Sequence, residues 1–154
     1  MSSNETEFHR HIAKECFNKA WDILDQKQRS ADDERQLLHL AHASRYHWGI
    51  VGTPSNQAVS DWQISRIYAE LSQPRLSLLF AKSSLETCEK NDLQEFLPSA
   101  YEGMARAYAK SDDPKSARDL ISKAWKALSK LTELDEEDKR IFTEQIRETE
   151  ALIR

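Results

Sequence analysis

Histidine side chains are the groups in this sequence whose spacing most resembles a site for chemistry. His39 and His42 are three residues apart, which puts two imidazoles on one face of a helix, where they could hold one metal ion. His47 follows in the same stretch, but no His-Glu-x-x-His pattern accompanies these residues. We therefore predict no metal site and no bound cofactor, and we treat the histidines as part of a surface.

Motifs for catalysis are absent from the sequence. It contains no Gly-x-Ser-x-Gly elbow and no glycine-rich phosphate loop. Adjacent carboxylates occur at Asp32-Asp33 and Asp112-Asp113, where helix capping accounts for them. We name no catalytic residue, and the sequence favours a protein that is not an enzyme.

Two arginines could bind an anion. Arg66 and Arg106 lie 40 residues apart, the offset between two similar segments of the chain, so we expect them in register on neighbouring helices. Such a pair can hold a carboxylate through forked hydrogen bonds. Trp62 would add stacking area, and Glu102 shares the predicted inner face with Arg106. These residues predict a binding surface for an acidic group.

The elements that must position these residues are helices. Apolar residues recur with helical rather than alternating spacing, and three glycines and four prolines allow few tight turns in 154 residues. The pattern predicts a single all-α domain over 1–154 with about seven helices. We place helical hairpins at about 5–49, 54–91 and 98–131, and a capping helix at about 135–153.

Turn residues indicate where these helices begin. Asp113-Pro114 is typical of an N-cap followed by the first helical position, and Thr53-Pro54 has the same character. Asp135 should cap the last helix. Between Gly49 and Thr53 we expect an ordered loop in which Ile50-Val51 is buried.

Apolar positions predict how the helices pack. Trp21 and Trp125 fall on apolar stripes, so we expect both in the core. The fourth helix is apolar nearly all round, with leucines at 76, 78 and 79 followed by Phe80, and we expect it to be a central helix sandwiched between others.

An internal repeat is indicated by two segments that agree in residue size at an offset of 40. The matching pairs include Ile64 with Met104, Tyr68 with Tyr108, Pro74 with Pro114 and Ser77 with Ala117. The second helix joins this series, because Ser44 lies 40 residues before Ser84. We could not align the first helix with the others.

The stretch from Ser99 to Leu128 resembles the tetratricopeptide repeat (TPR), a helical hairpin with a period of 34 residues. The resemblance rests on Tyr101, Met104, Ala105 and Tyr108 before the turn and on Ala117, Ile121, Ala124 and Trp125 after it. It implies antiparallel hairpins stacked as a short right-handed superhelix with an inner groove. Residues 40–48 and 51–54 also resemble small bacterial proteins that are TPR-like and of unknown function.

The preferred hypothesis is a binding module or scaffold for a protein or peptide that carries an acidic group. Its predicted partner-binding residues are His42, Arg45, His47, Trp62, Arg66, Glu102 and Arg106. The alternative is a small-ligand protein or enzyme with a pocket around residues 39–66, where the first five of these would converge. A structural role as an oligomerising subunit, such as a homodimer, is a third hypothesis.

Composition argues against several other classes of protein. A net charge of -4 gives no bulk attraction for nucleic acid or an anionic membrane. No charged-then-apolar leader and no long apolar run is present, so we expect a cytoplasmic protein. Cys16 and Cys88 sit in apolar helical stretches, which predicts two buried free thiols.

Overall fold

Seven α-helices and no β-strand build this protein in the computed structural model, which describes all 154 residues. The helices are α1 (Ser3–Leu24), α2 (Ala31–Val51), α3 (Pro54–Glu70), α4 (Pro74–Lys90), α5 (Leu97–Lys110), α6 (Pro114–Ser129) and α7 (Glu136–Glu150). One turn of 3-10 helix, Gln94–Phe96, precedes α5. The predicted all-α class and the number of helices are confirmed. No helix is both long enough and apolar enough to cross a membrane.

Most helices begin at a side chain that caps the backbone. The residues whose side chains accept a hydrogen bond from an N–H of the first turn are Ser2, Ser30, Thr53, Asp113 and Asp135. Each such bond satisfies an N–H that has no partner inside its helix. The caps predicted at Thr53, Asp113 and Asp135 are therefore confirmed, as are the prolines that open α3 and α6.

The end of α2 differs from the prediction. Gly49 does not terminate the helix, which continues to Val51, and the N–H of Gly52 still donates to the carbonyl of Trp48 at 2.7 Å. Ile50 is exposed and Val51 is only half-buried. The predicted buried loop is wrong because the backbone keeps its helical hydrogen bonds through both residues, and this turns the Ile50 side chain toward solvent.

Consecutive helices pack as three antiparallel pairs, α1 with α2, α3 with α4 and α5 with α6. The first helices of the second and third pairs also meet side by side, since α3 packs on α5, and the last helix, α7, packs on the other side of α5. On α1, the Trp21 ring lies 5.7 Å from the Trp62 ring of α3. We call α1, α3, α5 and α7 together the first-helix row. The second helices, α2, α4 and α6, each pack against the first helix of their own pair and are not part of this row.

The turns of the second and third pairs have the same backbone structure. Ser72 and Asp112 each have a φ of 57°, in the left-handed region. The residue that follows each of them donates its N–H to the carbonyl of Tyr68 or Tyr108, at 2.8 and 3.0 Å. The equivalence predicted at an offset of 40 residues is therefore present in the turns.

Two serine hydrogen bonds place α1 in the same series. Ser44 Oγ donates to the carbonyl of Ala13, and Ser84 Oγ donates to the carbonyl of Ala58, both at 2.7 Å. The serines are 40 residues apart, but the alanines are 45 apart. The pair α1–α2 therefore carries five extra residues, three in the loop between its helices (25–30 against 71–73) and a net two within the helices, and this explains why the first helix does not align from sequence.

The burial of the tryptophans differs from expectation. Trp48 and Trp62 are buried, whereas Trp21 and Trp125, predicted in the core, are only half-buried. Leu79 on α4 is exposed, because α4 packs against α3 and α5 and leaves another side open to solvent. The predicted position of α4 between two other helices is present, although one of its sides is open to solvent.

Both cysteines are free thiols, as predicted, although only Cys88 is fully buried and Cys16 is half-buried. Burial raises the pKa of the Cys88 thiol to about 12. This thiol is therefore chemically inert in the folded protein.

Candidate functional site

A buried carboxylate, that of Glu102 on α5, lies at the centre of a polar site in the first-helix row. Its side chain is 1% exposed. Glu102 Oε2 accepts a hydrogen bond from Trp62 Nε1 at 2.9 Å. Oε1 accepts from Arg106 Nε at 2.9 Å and from Thr149 Oγ1 at 2.5 Å. Donors from α3, α5 and α7 thus compensate the cost of burying this charge.

Helical spacing and one glycine bring these groups together. Glu102 and Arg106 are four residues apart on α5, so their side chains share a face. Between them, Gly103 faces the Trp62 indole, and a Cβ atom built on Gly103 would lie 2.9 Å from Trp62 Cδ1. Only glycine therefore allows the indole to approach α5 closely enough to reach Glu102.

Two arginines share a second carboxylate beside this centre. Arg66 Nη2 lies 3.4 Å from Glu148 Oε2, and Arg106 Nη2 lies 3.9 Å from the same oxygen. The Arg66 guanidinium also sits over the Trp21 ring, 5.5 Å from its centroid. The side chains of Arg106, Arg66 and Glu148 are 5%, 17% and 58% exposed. The site therefore changes from a closed interior at Arg106 to an open edge at Glu148.

The hydrogen-bonding capacity of this arginine pair is not fully used. Arg66 Nε and Arg106 Nη2 are buried and have no hydrogen-bond partner. At 3.9 Å the contact between Arg106 and Glu148 is too long for a hydrogen bond. Buried donors normally have partners, so each of these two N–H groups retains the capacity for one further acceptor.

A small cavity of about 200 Å³ lies between α1, the end of α2 and the first turns of α3. Its lining includes apolar side chains at Phe17, Trp48 and Val59 and polar ones at Lys14, Asn18 and Asn56. Aromatic rings connect this cavity to the arginine pair. Phe17 contacts Trp21, Trp21 contacts Trp62, and Trp62 contacts Phe96, with centroid separations of 6.3, 5.7 and 5.9 Å.

The three predicted residues on α2 do not join this site. His42 Nε2 lies 2.9 Å from the hydroxyl oxygen of Tyr68, and Arg45 Nε donates to Asp61 Oδ1 at 2.9 Å. Burial lowers the pKa of His42 and raises the pKa of Asp61, although the Arg45 charge opposes the rise at Asp61. These contacts join α2 to the side of α3 that faces away from the arginine pair. His42 and Arg45 therefore do not converge with Arg66 on one pocket.

His47 meets a residue that the sequence did not identify as a partner. Its Nδ1 atom lies 2.8 Å from Nδ1 of His9 on α1, so that one ring donates a hydrogen bond to the other. Burial lowers the pKa of His47, and the nearby His9 lowers it further. His39 is exposed, and no group of three or more metal-ligating side chains occurs in the structure.

The site also contains residues that sequence reasoning missed: Trp21, Glu148 and Thr149. Thr149 had a recognisable signal, because it continues the inward stripe of Phe142 and Ile146 at helical spacing. Glu148 is one of several glutamates on α7 and had none. A residue on α7 reaches Arg66 across 82 positions of sequence, which no local pattern indicates.

Four of the seven predicted residues therefore come together: Trp62, Arg66, Glu102 and Arg106. His42, Arg45 and His47 have separate partners on the other side of α3 or on α1. In comparisons with known proteins, no protein-family model, curated protein or solved structure matches this chain. The geometry of the arginine pair is thus the basis for assigning a function.

Proposed function

We propose that this protein is a TPR-like helical-repeat module that binds a peptide or protein segment carrying an acidic group on its first-helix row. The observation that carries this proposal is the pair formed by Arg66 and Arg106. The two guanidinium groups stand on neighbouring helices and retain buried N–H groups without a partner. Planar guanidinium groups bind carboxylates with well-defined geometry, so an acidic side chain is the ligand group that fits best.

The recurring hairpins support the TPR-like part of this proposal. Two turns have a left-handed residue at the equivalent position and the same backbone hydrogen bond, and serine contacts between paired helices recur in the first two pairs. Such stacking leaves one row of helices available along its length for an extended ligand.

The aromatic cavity suggests where the rest of the ligand lies. Val59 at the cavity and Arg66 at the pair are seven residues apart on α3, which corresponds to about 10 Å along a helix. An extended peptide covers that distance with about three residues. A suitable ligand would therefore carry an apolar side chain about three positions away from its acidic group.

Selection from a random heptapeptide display library tests this function. We expect the wild-type protein to enrich peptides that contain Asp or Glu, because a charge-assisted hydrogen bond contributes about 1.5–3 kcal/mol. Arg66→Gln should weaken binding of the selected peptides by about 10- to 150-fold, which is the same range of free energy. Arg66 is the residue to replace, since Arg106 is buried beneath it.

Arg35→Gln provides a matched control, because Arg35 is an exposed arginine on α2, away from the first-helix row. We expect this variant to select the same peptides as the wild type. Thermal unfolding should show that all three proteins are folded. Absence of acidic enrichment in the wild type, or equal affinity of Arg66→Gln for the selected peptides, would contradict the proposal.

A further inference from the structure

We propose that the Glu148 carboxylate is an internal substitute for the acidic group of the ligand, so that Glu148 and the ligand compete for Arg66 and Arg106. This inference rests on the proposed function and adds to it the chemistry of the bound group and a built-in competitor. The ligand group it defines is a single carboxylate that takes the place of the Glu148 side chain.

The charge count of the site supports a single carboxylate. Arg66 and Arg106 contribute two positive charges, and the buried Glu102, held by Arg106, contributes one negative charge. One positive charge is then left, and Glu148 balances it through contacts of 3.4 and 3.9 Å. A carboxylate from outside restores the same balance without leaving a charge unpaired.

The contacts of Glu148 are loose enough to be exchanged. Its side chain is 58% exposed, and it makes no hydrogen bond to Arg106 even though Arg106 Nη2 has no other partner. A ligand carboxylate on an extended peptide is free of the constraint that α7 imposes on Glu148. It can approach the two guanidinium groups to normal hydrogen-bond distance and satisfy the unpartnered N–H groups.

The exchange requires only a side-chain movement. Thr149, the next residue, is fully buried with its hydroxyl on Glu102, and Ile146 is buried in the cluster that joins α5, α6 and α7. These two residues hold α7 in place while Glu148 lies at the open edge of the site. Glu148 can therefore turn into solvent by a change of rotamer, and α7 does not have to leave α5.

Three synthetic peptides serve as probes, all with an apolar residue three positions before the last residue. Ac-Phe-Ser-Ser-Glu-NH2 offers an acidic side chain, Ac-Phe-Ser-Ser-Gln-OH offers a terminal carboxylate, and Ac-Phe-Ser-Ser-Gln-NH2 is neutral. Titration is followed by the NMR signals of the arginine Nε–H groups, with the Arg66 signal assigned from Arg66→Lys. The first two probes distinguish a side-chain carboxylate from a chain terminus as the source of the ligand group.

Glu148→Gln should bind the preferred carboxylate probe about fivefold more tightly than the wild type, the factor expected when a partly exposed ion-pair competitor is removed. Glu144→Gln is the matched control, because it removes the same charge from α7 one turn earlier, where Glu144 pairs with Arg140. We expect this control to change the affinity by less than about twofold at physiological ionic strength.

Equal affinity of the wild type, Glu148→Gln and Glu144→Gln for a carboxylate probe would overturn the competition and leave the proposed function intact. If neither carboxylate probe moves the Arg66 signal more than the neutral peptide does, in any of the three proteins, the proposed function fails together with this inference. A larger increase in affinity in Glu148→Gln than in Glu144→Gln, together with movement of the Arg66 signal, supports the competition.

Discussion

At the scale of single residues, burial decides which charges are structural and which can bind a partner. Glu102 and Arg106 are enclosed, and their mutual hydrogen bond belongs to the interior. Removing one partner of such a pair leaves a buried charge without compensation, which is strongly destabilising. Arg66 is more accessible and stacks on Trp21, and it is therefore the arginine that we propose contacts a ligand.

Thr149→Val tests the contribution of α7 to the buried centre. The substitution keeps the shape of the side chain but removes the hydroxyl that donates to Glu102. We expect the free energy of unfolding to fall by about 1.5–3 kcal/mol, the usual value for a hydrogen bond to a charged group. Thr143→Val, a half-buried threonine of the same helix, is the control and should change stability by less than about 0.5 kcal/mol. Urea unfolding gives both values, and equal losses would contradict the role assigned to Thr149.

His42 should make stability depend on pH. Burial lowers the pKa of His42 below its usual value of 6.5, while Asp61 acts to raise it and His39 to lower it. The unfolded chain therefore takes up this proton at a higher pH than the folded protein does. We expect stability to be lower at about pH 5.5 than at about pH 7.5, and His42→Gln should reduce that difference. Urea unfolding at the two pH values measures it, and an identical difference in the variant would disprove the role of His42.

At the scale of elements, the close approach of α3 and α5 depends on the absence of one side chain. Gly103 faces Trp62, and the indole fills the space that a larger residue at Gly103 would occupy. The same approach carries the Trp62 donor to Glu102. The packing of α3 on α5 and the hydrogen bond from Trp62 to Glu102 therefore both depend on Gly103.

Replacing glycine by alanine at two positions separates packing from helix propensity. At Gly103 the new methyl group would lie 2.9 Å from Trp62, so we expect overpacking to lower the free energy of unfolding by about 1–3 kcal/mol. At Gly49 the nearest atom is the end of the Arg45 side chain at 3.2 Å, which can move away. At Gly49 we expect the free energy of unfolding to rise by about 0.5–1 kcal/mol, because alanine is the better helix former. Denaturant unfolding compares the two variants, and a gain at both positions would show that Trp62 adjusts freely.

At the scale of the whole molecule, each pair of helices rests mainly on its neighbours along the chain. The helices α3 and α5 have first-helix neighbours on both sides, whereas α1 and α7 have a neighbour on one side only. In arrays of this kind stability is close to a sum of local and nearest-neighbour terms. The centre should therefore open less often than the ends.

Hydrogen exchange of backbone amides tests whether the central helices open less often than the end helices. We expect the slowest exchange in α3 and α5 and faster exchange in α1 and α7, because the end helices can open without disturbing the centre. Measurement at several times by mass spectrometry after peptic digestion resolves the helices. Uniform exchange in all seven helices would instead indicate a single cooperative unit.

The sequence by itself determined what depends on near neighbours in the chain. Caps at Thr53, Asp113 and Asp135 lie within three residues of the N–H groups they bind, so residue types alone indicated them. The repeated turns could be read at an offset of 40 because Pro74 and Pro114 mark the same step. Helical periodicity likewise predicted the number of helices, since each apolar stripe is a local pattern.

Only the tertiary structure decided which distant groups meet. Packing of α1 against α2 and α3 placed the Trp21 ring beneath the Arg66 guanidinium, half-buried and not in the core. The partner of Arg66 came from Glu148, 82 residues away, among several equivalent glutamates on α7. Burial and ion pairing depend on the atoms that surround a side chain in three dimensions, and residues so far apart contribute those atoms only after the helices have packed.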